Sequence, residues 1–424
     1  MRRVLRIAGI IAGMLVVLAA CLALYVQLGW DRKDGRQAPI LVAPRDPASV
    51  ARGEYIFMNT WQCWGCHSGS DGSQSVPPAG GRAFDLSTTG PGFGMYYAKN
   101  ITPDSATGIG AWTDGEIVQA IREGVRRDRH LLFPLMPVDW LHRMSDEDAL
   151  AIVAYLRSLP PVRNDVPPAT PSFVARALFA FGVLSALPPV NTRIAAPAQA
   201  STREYGEYVA TALSGCADCH TPRDLKNGKF FLDSLFAGGT IAFGEPEGEP
   251  IVSFASNLRE ILGPGPGRWS EDQFVTAVTG GMRPDSSVIS PHMPYARYKF
   301  VSPDDLHALF VYFTSLPRID RGVPAARYTD RVNAAHGTER GAYVFAARCQ
   351  ACHGRNGTGT PSTSVRLADV AGSLADSDMR DFIGAGQPDL KMPSFAKTLG
   401  SDDIANVIAY IRSWNQTGER TTTH

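Results

Sequence analysis

The sequence predicts an all-α protein in which an N-terminal membrane-spanning helix precedes three similar helical domains. The observations behind this fold class are a long apolar segment at the N-terminus, three copies of one helical pattern, and a closing helix at the end of each copy. A chain of 424 residues has room for about three domains of ordinary size. Basic and acidic residues number 41 each, so no overall positive field favours nucleic acid binding.

The N-terminal segment, residues 1–30, has the features of a membrane anchor. Arginines at positions 2, 3 and 6 precede an uncharged stretch from Ile7 to Trp30. A helix of that length crosses the roughly 30 Å hydrocarbon layer, and positive residues stay in the cytoplasm, so we expect the body outside it. A cleaved signal peptide and a lipid-carrying Cys21 remain alternatives. The apolar run continues past Cys21 to Val26, which favours a retained anchor.

Three segments of the chain repeat the same landmarks. Each begins a helical pattern with a Gly-x-Tyr triplet and ends in a helix with a serine N-cap and acidic first turn. The triplets start at Gly53, Gly206 and Gly341, and the caps are Ser145, Ser302 and Ser401. These landmarks predict domains over 46–165, 199–320 and 335–416. The linker over 166–198 contains an apolar segment, Phe173 to Leu187, suited either to a membrane or partner surface or to packing on its own domains.

Six of the seven cysteines fall into Cys-x-x-Cys-His motifs, which are typical of c-type haem attachment. Two thiols about one helical turn apart can reach both vinyl groups of one porphyrin, and the histidine after them can bind its iron. A zinc site or a redox dithiol would not explain a histidine after every second cysteine. We therefore expect three covalently bound haem c groups. The motif residues are Cys63, Cys66 and His67; Cys216, Cys219 and His220; and Cys349, Cys352 and His353.

A methionine followed by proline is the predicted second axial ligand of each iron. Met136, Met293 and Met392 each lie 18 or 19 residues before a tyrosine of the closing helix. A thioether favours Fe(II), raises the reduction potential and leaves no open position for oxygen or substrate. His292 remains an alternative ligand beside Met293.

Repeats one and two share an insertion in which an asparagine precedes a tryptophan by twelve residues. Because buried carboxylates need hydrogen-bond donors, these side chains are predicted to line the haem pockets and donate to the propionates. The alternative is a core tryptophan beside a turn asparagine. A capping box follows each tryptophan and predicts a helix start. The residues are Asn100 and Trp112 with the box Thr113/Glu116, and Asn257 and Trp269 with the box Ser270/Gln273.

Several of these segments resemble the tri-haem cytochrome c subunits of membrane-bound bacterial dehydrogenases, over about Arg52 to Trp414. The resemblance is carried by Asn100-Ile101-Thr102-Pro103-Asp104, Gly108-Ile109-Gly110-x-Trp112, and segments 134–137, 158–162 and 216–222. It implies three tandem class I cytochrome c domains in an electron-transfer subunit of the bacterial inner membrane, facing the periplasm.

The resemblance also implies the partners. Electrons would come from a quinoprotein alcohol or gluconate-type dehydrogenase, or from a molybdenum and iron–sulfur aldehyde dehydrogenase, and would pass to ubiquinone or the respiratory chain. The retained N-terminus tilts the expectation toward the molybdenum type. No set of catalytic side chains suggests that this chain converts a substrate itself. A free-standing electron shuttle to a terminal oxidase and a haem peroxidase remain alternative functions.

Overall fold

The computed structural model describes most of the chain, and contacts divide it into two compact units. The first unit comprises the described residues within 1–56, 66–72 and 77–196, and the second those within 57–65, 73–76 and 197–424. The described residues are 2–68, 77–87, 92–224, 228–244, 250–265, 267–285, 287, 289, 293–321, 335, 337–349, 353, 357, 367, 372–387, 389, 392, 394–396 and 399–414.

Helices dominate the described residues. From the N-terminus to residue 180 they are α1 (Arg2–Gly29), α2 (Pro47–Tyr55), α3 (Trp64–His67), α4 (Asp114–Glu123), α5 (Val138–Leu141), α6 (Asp146–Ser158) and α7 (Phe173–Ala180). Beyond it they are α8 (Arg203–Tyr208), α9 (Cys216–His220), α10 (Leu258–Ile261), α11 (Glu271–Gly280), α12 (Tyr295–Tyr298), α13 (Pro303–Ser315), α14 (Gly337–Arg348), α15 (Asp376–Ala385) and α16 (Ser401–Ser413). Turns of π-helix over Ile56–Thr60 and Val209–Leu213 lead toward the first two Cys-x-x-Cys-His motifs.

Two small antiparallel sheets depart from the predicted all-α class. One has the strand order β1 (Ala83–Asp85), β2 (Gly94–Tyr97) and β3 (Thr170–Pro171), and the other pairs β4 (Ala237–Gly244) with β5 (Pro250–Asn257). Four of these strands, β1, β2, β4 and β5, lie between a haem motif and the predicted Asn–Trp segment. In the first sheet the strands are two to four residues long, too short for alternation of apolar and polar residues to reveal them in the sequence.

Each Gly-x-Tyr glycine marks a close crossing with the closing helix of its repeat. A Cβ atom at Gly53 would lie 1.9 Å from the Ala151 oxygen of α6. The same atom at Gly206 would lie 2.0 Å from an α13 oxygen, and at Gly341 1.9 Å from an α16 oxygen. Real Cβ atoms do not approach oxygen this closely, so only glycine permits these three crossings.

The residue just before each of these glycines donates a hydrogen bond to the closing helix. The partner is always an aspartate in the first turn of the closing helix. Arg52 Nε donates to Asp148 Oδ1 at 2.7 Å, Tyr205 Oη to Asp305 Oδ1 at 2.7 Å, and Arg340 Nε to Asp403 Oδ1 at 2.8 Å. The sequence pattern did not reveal this contact, because tyrosine replaces arginine in the second repeat.

The predicted helix starts are confirmed with one exception. Ser145 accepts from the Asp148 amide and Ser302 from the Asp305 amide, and both capping boxes are present. The prediction for Ser401 is wrong: this residue is the first residue of α16, and Gly400, with extended backbone, occupies the cap position. A glycine takes this position at little cost but offers no side-chain acceptor.

The N-terminal helix α1 has the length and composition of a membrane span. It runs for 28 residues, and its most apolar window has a mean hydropathy of 2.8 with no residue buried against the rest of the protein. At about 1.5 Å per residue such a helix exceeds the roughly 30 Å of a hydrocarbon layer. The predicted apolar run from Ile7 is therefore one continuous helix.

Candidate haem sites

The second Cys-x-x-Cys-His motif opens onto an apolar cavity in the second unit, which we call the second cavity after this motif. Helix α9 carries all three motif residues, and Cys216, Cys219 and His220 line the cavity together with Met293. The cavity contains about 1310 Å³ of empty space, part of it open to solvent. Its remaining walls are largely apolar and include Leu258, Leu262, Phe274 and Phe313. Two thiols, an imidazole and a thioether in one apolar cavity are the donor set that a covalently bound haem requires.

Hydrogen bonds to backbone carbonyls fix the orientation of two motif histidines. His67 Nδ1 lies 2.8 Å from the Lys99 oxygen, and His220 Nδ1 lies 2.8 Å from the Ser256 oxygen. A carbonyl can only accept, so Nδ1 carries the proton and Nε2 presents its lone pair. Burial lowers the pKa of both imidazoles and favours the neutral form that binds a metal.

The third motif is described in part. His353 has its Nδ1 atom buried, without a hydrogen bond within the described part of the chain, and burial lowers the pKa of its imidazole. Cys349 and Met392 pack against one core cluster, which includes Phe345 and Ile408. Cys352 lies outside the described residues. The structure therefore brings a predicted attachment residue and the predicted thioether ligand to the same core.

The residues of the first motif all lie within the described part of the chain. The Cys63 amide donates to the Phe57 oxygen at 2.9 Å, within the second unit. Met136 is half-buried in the first unit and directly precedes the turn into α5. The local geometry of His67 matches that of His220, which is the main structural likeness between the two motifs.

The same structural feature precedes each of the three predicted methionine ligands in the chain. Each comes after a helix that ends at a glycine with positive φ, a conformation that favours glycine. These glycines are Gly124 (φ 71°), Gly281 (φ 67°) and Gly386 (φ 75°). In repeats one and two the Met-Pro step leads directly into a short helix, α5 or α12. His292, the alternative ligand of the second site, lies outside the described residues.

The predicted propionate donors are two tryptophans and two asparagines, and the amide groups of the asparagines already donate to other protein atoms. Trp269 lines the second cavity and Trp112 is half-buried. Asn100 instead donates to the Val162 oxygen at 2.8 Å and to Thr107 Oγ1 at 3.0 Å. Asn257 donates to the Ile319 oxygen at 2.8 Å and caps α10. Both asparagines thus connect the segment after a haem motif to the chain leaving the closing helix, as in the turn-asparagine alternative.

A cationic side chain that the sequence analysis overlooked lies in the second cavity. Arg283 lines this cavity, and burial lowers the pKa of its guanidinium. It stands two residues after Gly281, as Arg126 stands two residues after Gly124. This repeated Gly-x-Arg spacing is the sequence feature from which Arg283 could have been identified. A guanidinium in an apolar cavity is suited to a carboxylate such as a haem propionate.

Residues that precede the first motif also line the second cavity, within the second unit. Trp61 is one of them, and its Nε1 donates to the Ala212 oxygen at 2.7 Å. The Arg297 guanidinium of α12 lies 4.2 Å from the Trp64 ring centroid. Helix α12 therefore contacts Trp64 of the first motif and also follows Met293, the predicted ligand of the second site.

Comparison with protein families gives two matches to cytochrome domains. A family described as cytochrome c matches residues 50–160. A family described as cytochrome c oxidase, cbb3-type, subunit III, matches residues 336–411. These segments coincide with the first and third repeats.

Similar curated proteins cover most of the chain. The cytochrome c subunit of a quinone alcohol dehydrogenase of Gluconobacter oxydans is 31% identical, over 87% of this chain and 78% of the relative. The cytochrome c subunit of gluconate 2-dehydrogenase of Pantoea cypripedii is 30% identical, over 89% of this chain and 88% of the relative. One of the subunits of nicotinate dehydrogenase of Pseudomonas putida is 28% identical, over 96% of this chain but 33% of that longer protein.

Proposed function

Because this chain belongs to the family of dehydrogenase cytochrome c subunits, we propose that it transfers electrons through three haems, one in each of three tandem class I cytochrome c domains. It is an electron-transfer subunit that binds haem c, and the substrate is oxidised by another subunit of the complex. The proposed number of three haems and three domains is supported by the glycine crossing between helices, which is repeated with every Cys-x-x-Cys-His motif.

The proposed domains keep the boundaries 46–165, 199–320 and 335–416. Each contains a glycine crossing, a helix ending at a positive-φ glycine, and a methionine after that glycine. The proposed thioether links to haem are Cys63 and Cys66, Cys216 and Cys219, and Cys349 and Cys352. The proposed iron ligands are His67 and Met136, His220 and Met293, and His353 and Met392.

The described residues are suited to holding haem and keeping its iron closed to substrates. Bound haem supplies a one-electron Fe(III)/Fe(II) couple. The carbonyl of Ser256 orients the His220 imidazole, and the largely apolar walls of the cavity are suited to a porphyrin ring. A thioether on the opposite side would raise the reduction potential. Trp112 and Trp269 are proposed to donate to haem propionates, with Asn100 and Asn257 lining the same pockets. Arg283 is proposed to bind a propionate in the second domain.

The electron donor is the catalytic subunit of a dehydrogenase complex. We propose a quinoprotein or a molybdenum and iron–sulfur enzyme in this role, with ubiquinone as acceptor. We further propose that α1 anchors the chain in the bacterial inner membrane with its body in the periplasm, which is supported by the arginines before α1 and its apolar length.

Haem counting tests the proposal directly. The purified full-length chain should have an intact mass that includes three haems, and pyridine haemochrome assay should give three haems per chain. The variant C349A/C352A should lose about one third of the haem, and the matched variant C216A/C219A should lose the same amount. Unchanged haem content in either variant would contradict the assignment.

Purification from the native membrane tests the partner. Gentle solubilisation should yield this chain together with a dehydrogenase subunit, and that enzyme's substrate should reduce the haems. Chain recovered in quantity without any dehydrogenase would instead favour the free-standing electron shuttle.

A further inference from the structure

Helix α7, at the start of the apolar linker segment, is attached to the outer end of α1 within the first unit. The Tyr25 hydroxyl donates to the Ala180 oxygen at 3.2 Å, and the Tyr25 ring lies 5.4 Å from that of Phe181. Val26 is only 1% exposed, in contrast to the exposed residues before it in α1. One face of the last turns of α1, which includes Val26 and Gly29, is therefore covered by protein.

A second set of contacts fixes α7 at the same level. Arg176 Nη1 donates to Gln27 Oε1 at 2.7 Å, and the Arg176 guanidinium lies 5.3 Å from the Trp30 ring centroid. Together the two sets of contacts reach residues 25–30, which are the last turn of α1 and the residue after it. Helix α7 is thus held beside the end of α1 from which the body of the protein continues.

The position of α7 relative to a bilayer follows from the charge pattern of α1. Arg6 is the last charged residue before the apolar run. About 20 residues, at about 1.5 Å each, fill the roughly 30 Å hydrocarbon layer and bring its outer boundary to about Val26. Since α7 contacts residues 25–30, it lies at the outer membrane–water interface.

The surface of this segment is apolar and exposed. Phe173 is 57% exposed, Phe181 55% and Val183 44%, and Leu28 in the last turn of α1 is 74% exposed. Large apolar side chains grouped in this way are unfavourable in water and mark an interaction surface. Because the Phe181 ring contacts Tyr25 of α1, this patch of side chains adjoins the exposed apolar surface of that helix, so lipid is the occupant that the arrangement supports.

Aromatic and cationic side chains around the patch fit an interface. Tyr25 and Trp30 are of the types that prefer the headgroup level, and each is paired with an arginine, Arg32 or Arg176. Arginine can keep its charged group among lipid phosphates while its stem stays in apolar surroundings. The chemistry therefore matches a phospholipid surface at this depth.

We propose that residues 173–187, together with the end of α1, form a second membrane contact that lies in the outer interface of the bilayer. The segment is too short to cross the membrane but inserts its exposed apolar side chains among the headgroups. Two attachments instead of one would limit tilting of the first unit relative to the bilayer. The proposal rests on membrane anchoring by α1.

Spin-label accessibility in the full-length holoprotein tests this contact. In a Cys21→Ser background, single cysteines replace Phe181, Val183, Leu15 in the middle of α1, and Glu147 on the exposed start of α6. Each labelled protein is placed in vesicles of phosphatidylethanolamine and phosphatidylglycerol in equal amounts. Collision of the nitroxide with oxygen is compared with collision with a water-soluble nickel chelate.

Labels at positions 181 and 183 should show an oxygen-to-nickel ratio several-fold above that at position 147 and below that at position 15. A ratio at 181 and 183 equal to that at 147, with position 15 in lipid, would overturn the second contact and leave the anchor in place. Ratios at positions 15 and 181 that both equal the ratio at position 147 would overturn the membrane anchor as well as the second contact. As an independent check, Phe181→Asp should make the label at position 183 more accessible to nickel.

Discussion

At the scale of single residues, backbone carbonyls decide which histidine nitrogen can bind iron. Lys99 and Ser256 accept from Nδ1 of His67 and His220, so the free lone pair is on Nε2 in both motifs. Such an acceptor also raises the basicity of the ligand and fixes the ring. The two sites thus share a geometry that the motif spacing alone does not specify.

Replacing a proposed thioether ligand should open the iron. Met136→Leu removes the sulfur while preserving volume, so the first haem should become high-spin and bind carbon monoxide in the ferrous state, with a lower reduction potential. The optical spectrum of the reduced protein with carbon monoxide measures this. Met144→Leu, at a fully buried core methionine of the same unit, is the matched control and should bind none. Carbon monoxide binding by the unaltered protein would instead favour a peroxidase.

The half-buried guanidinium of Arg283, in the second cavity, should influence the potential of one haem. Arg283→Gln removes a positive charge that disfavours Fe(III), so the midpoint potential of the haem proposed for the second domain should fall, by on the order of 30 mV. Spectroelectrochemical titration measures the shift. Arg268→Gln, at an exposed position beside Trp269, is the control and should leave all three potentials in place. Equal titration curves for both variants would exclude Arg283 from the haem environment.

At the scale of helices, the glycine crossings set the distance between the first and last helix of each repeat. Because the backbone of one helix touches the other, the helix that leads toward the haem motif is fixed against the closing helix. The aspartate contact just before each glycine adds a second restraint. Local packing and hydrogen bonding therefore hold the attachment segment in place.

A methyl group at one crossing should destabilise its domain. Gly341→Ala places a Cβ against α16 and should lower the free energy of unfolding by about 1–3 kcal/mol or more. Gly384→Ala, in α15 of the same repeat, meets no atom within 4 Å and should be neutral or stabilising by up to about 1 kcal/mol. Thermal unfolding followed by circular dichroism compares the two. Equal melting temperatures would show that the crossing can relax at little cost.

At the scale of the whole molecule, the N-terminus could attach the chain to the membrane in two ways, through a retained helix or through a lipid on Cys21. Cys21 is exposed on α1, and a helix of this length needs no lipid to remain in the membrane. We therefore expect membrane retention to depend on α1 as a whole and not on one thiol.

Cys21→Ala should leave the chain in the membrane fraction after alkaline carbonate extraction. The intact mass should include residues 2–30 and no acyl chain, because the apolar helix supplies the anchor. Wild-type protein treated in parallel is the control. Release of the variant into the soluble fraction, with retention of the wild type, would support lipidation at Cys21 instead.

Features that depend on short covalent spacing could be predicted from the amino-acid sequence alone. The Cys-x-x-Cys-His motifs, the Gly-x-Tyr repeats, the apolar length of α1 and most helix caps are properties of a few neighbouring residues, so they require no knowledge of the fold. The caps and the helix α1 are confirmed apart from Ser401. The assignments of haem ligands and domain boundaries stay predictions.

Contacts between residues far apart in the chain became visible only in the folded protein. The amide groups of Asn100 and Asn257 bond to carbonyls about 60 residues away, Arg283 enters the second cavity, and α7 packs on α1 across about 150 residues. Such contacts depend on how helices cross, which no local pattern encodes. The physical reason is that spacing along the chain fixes local geometry, whereas burial and hydrogen-bond pairing are settled by packing.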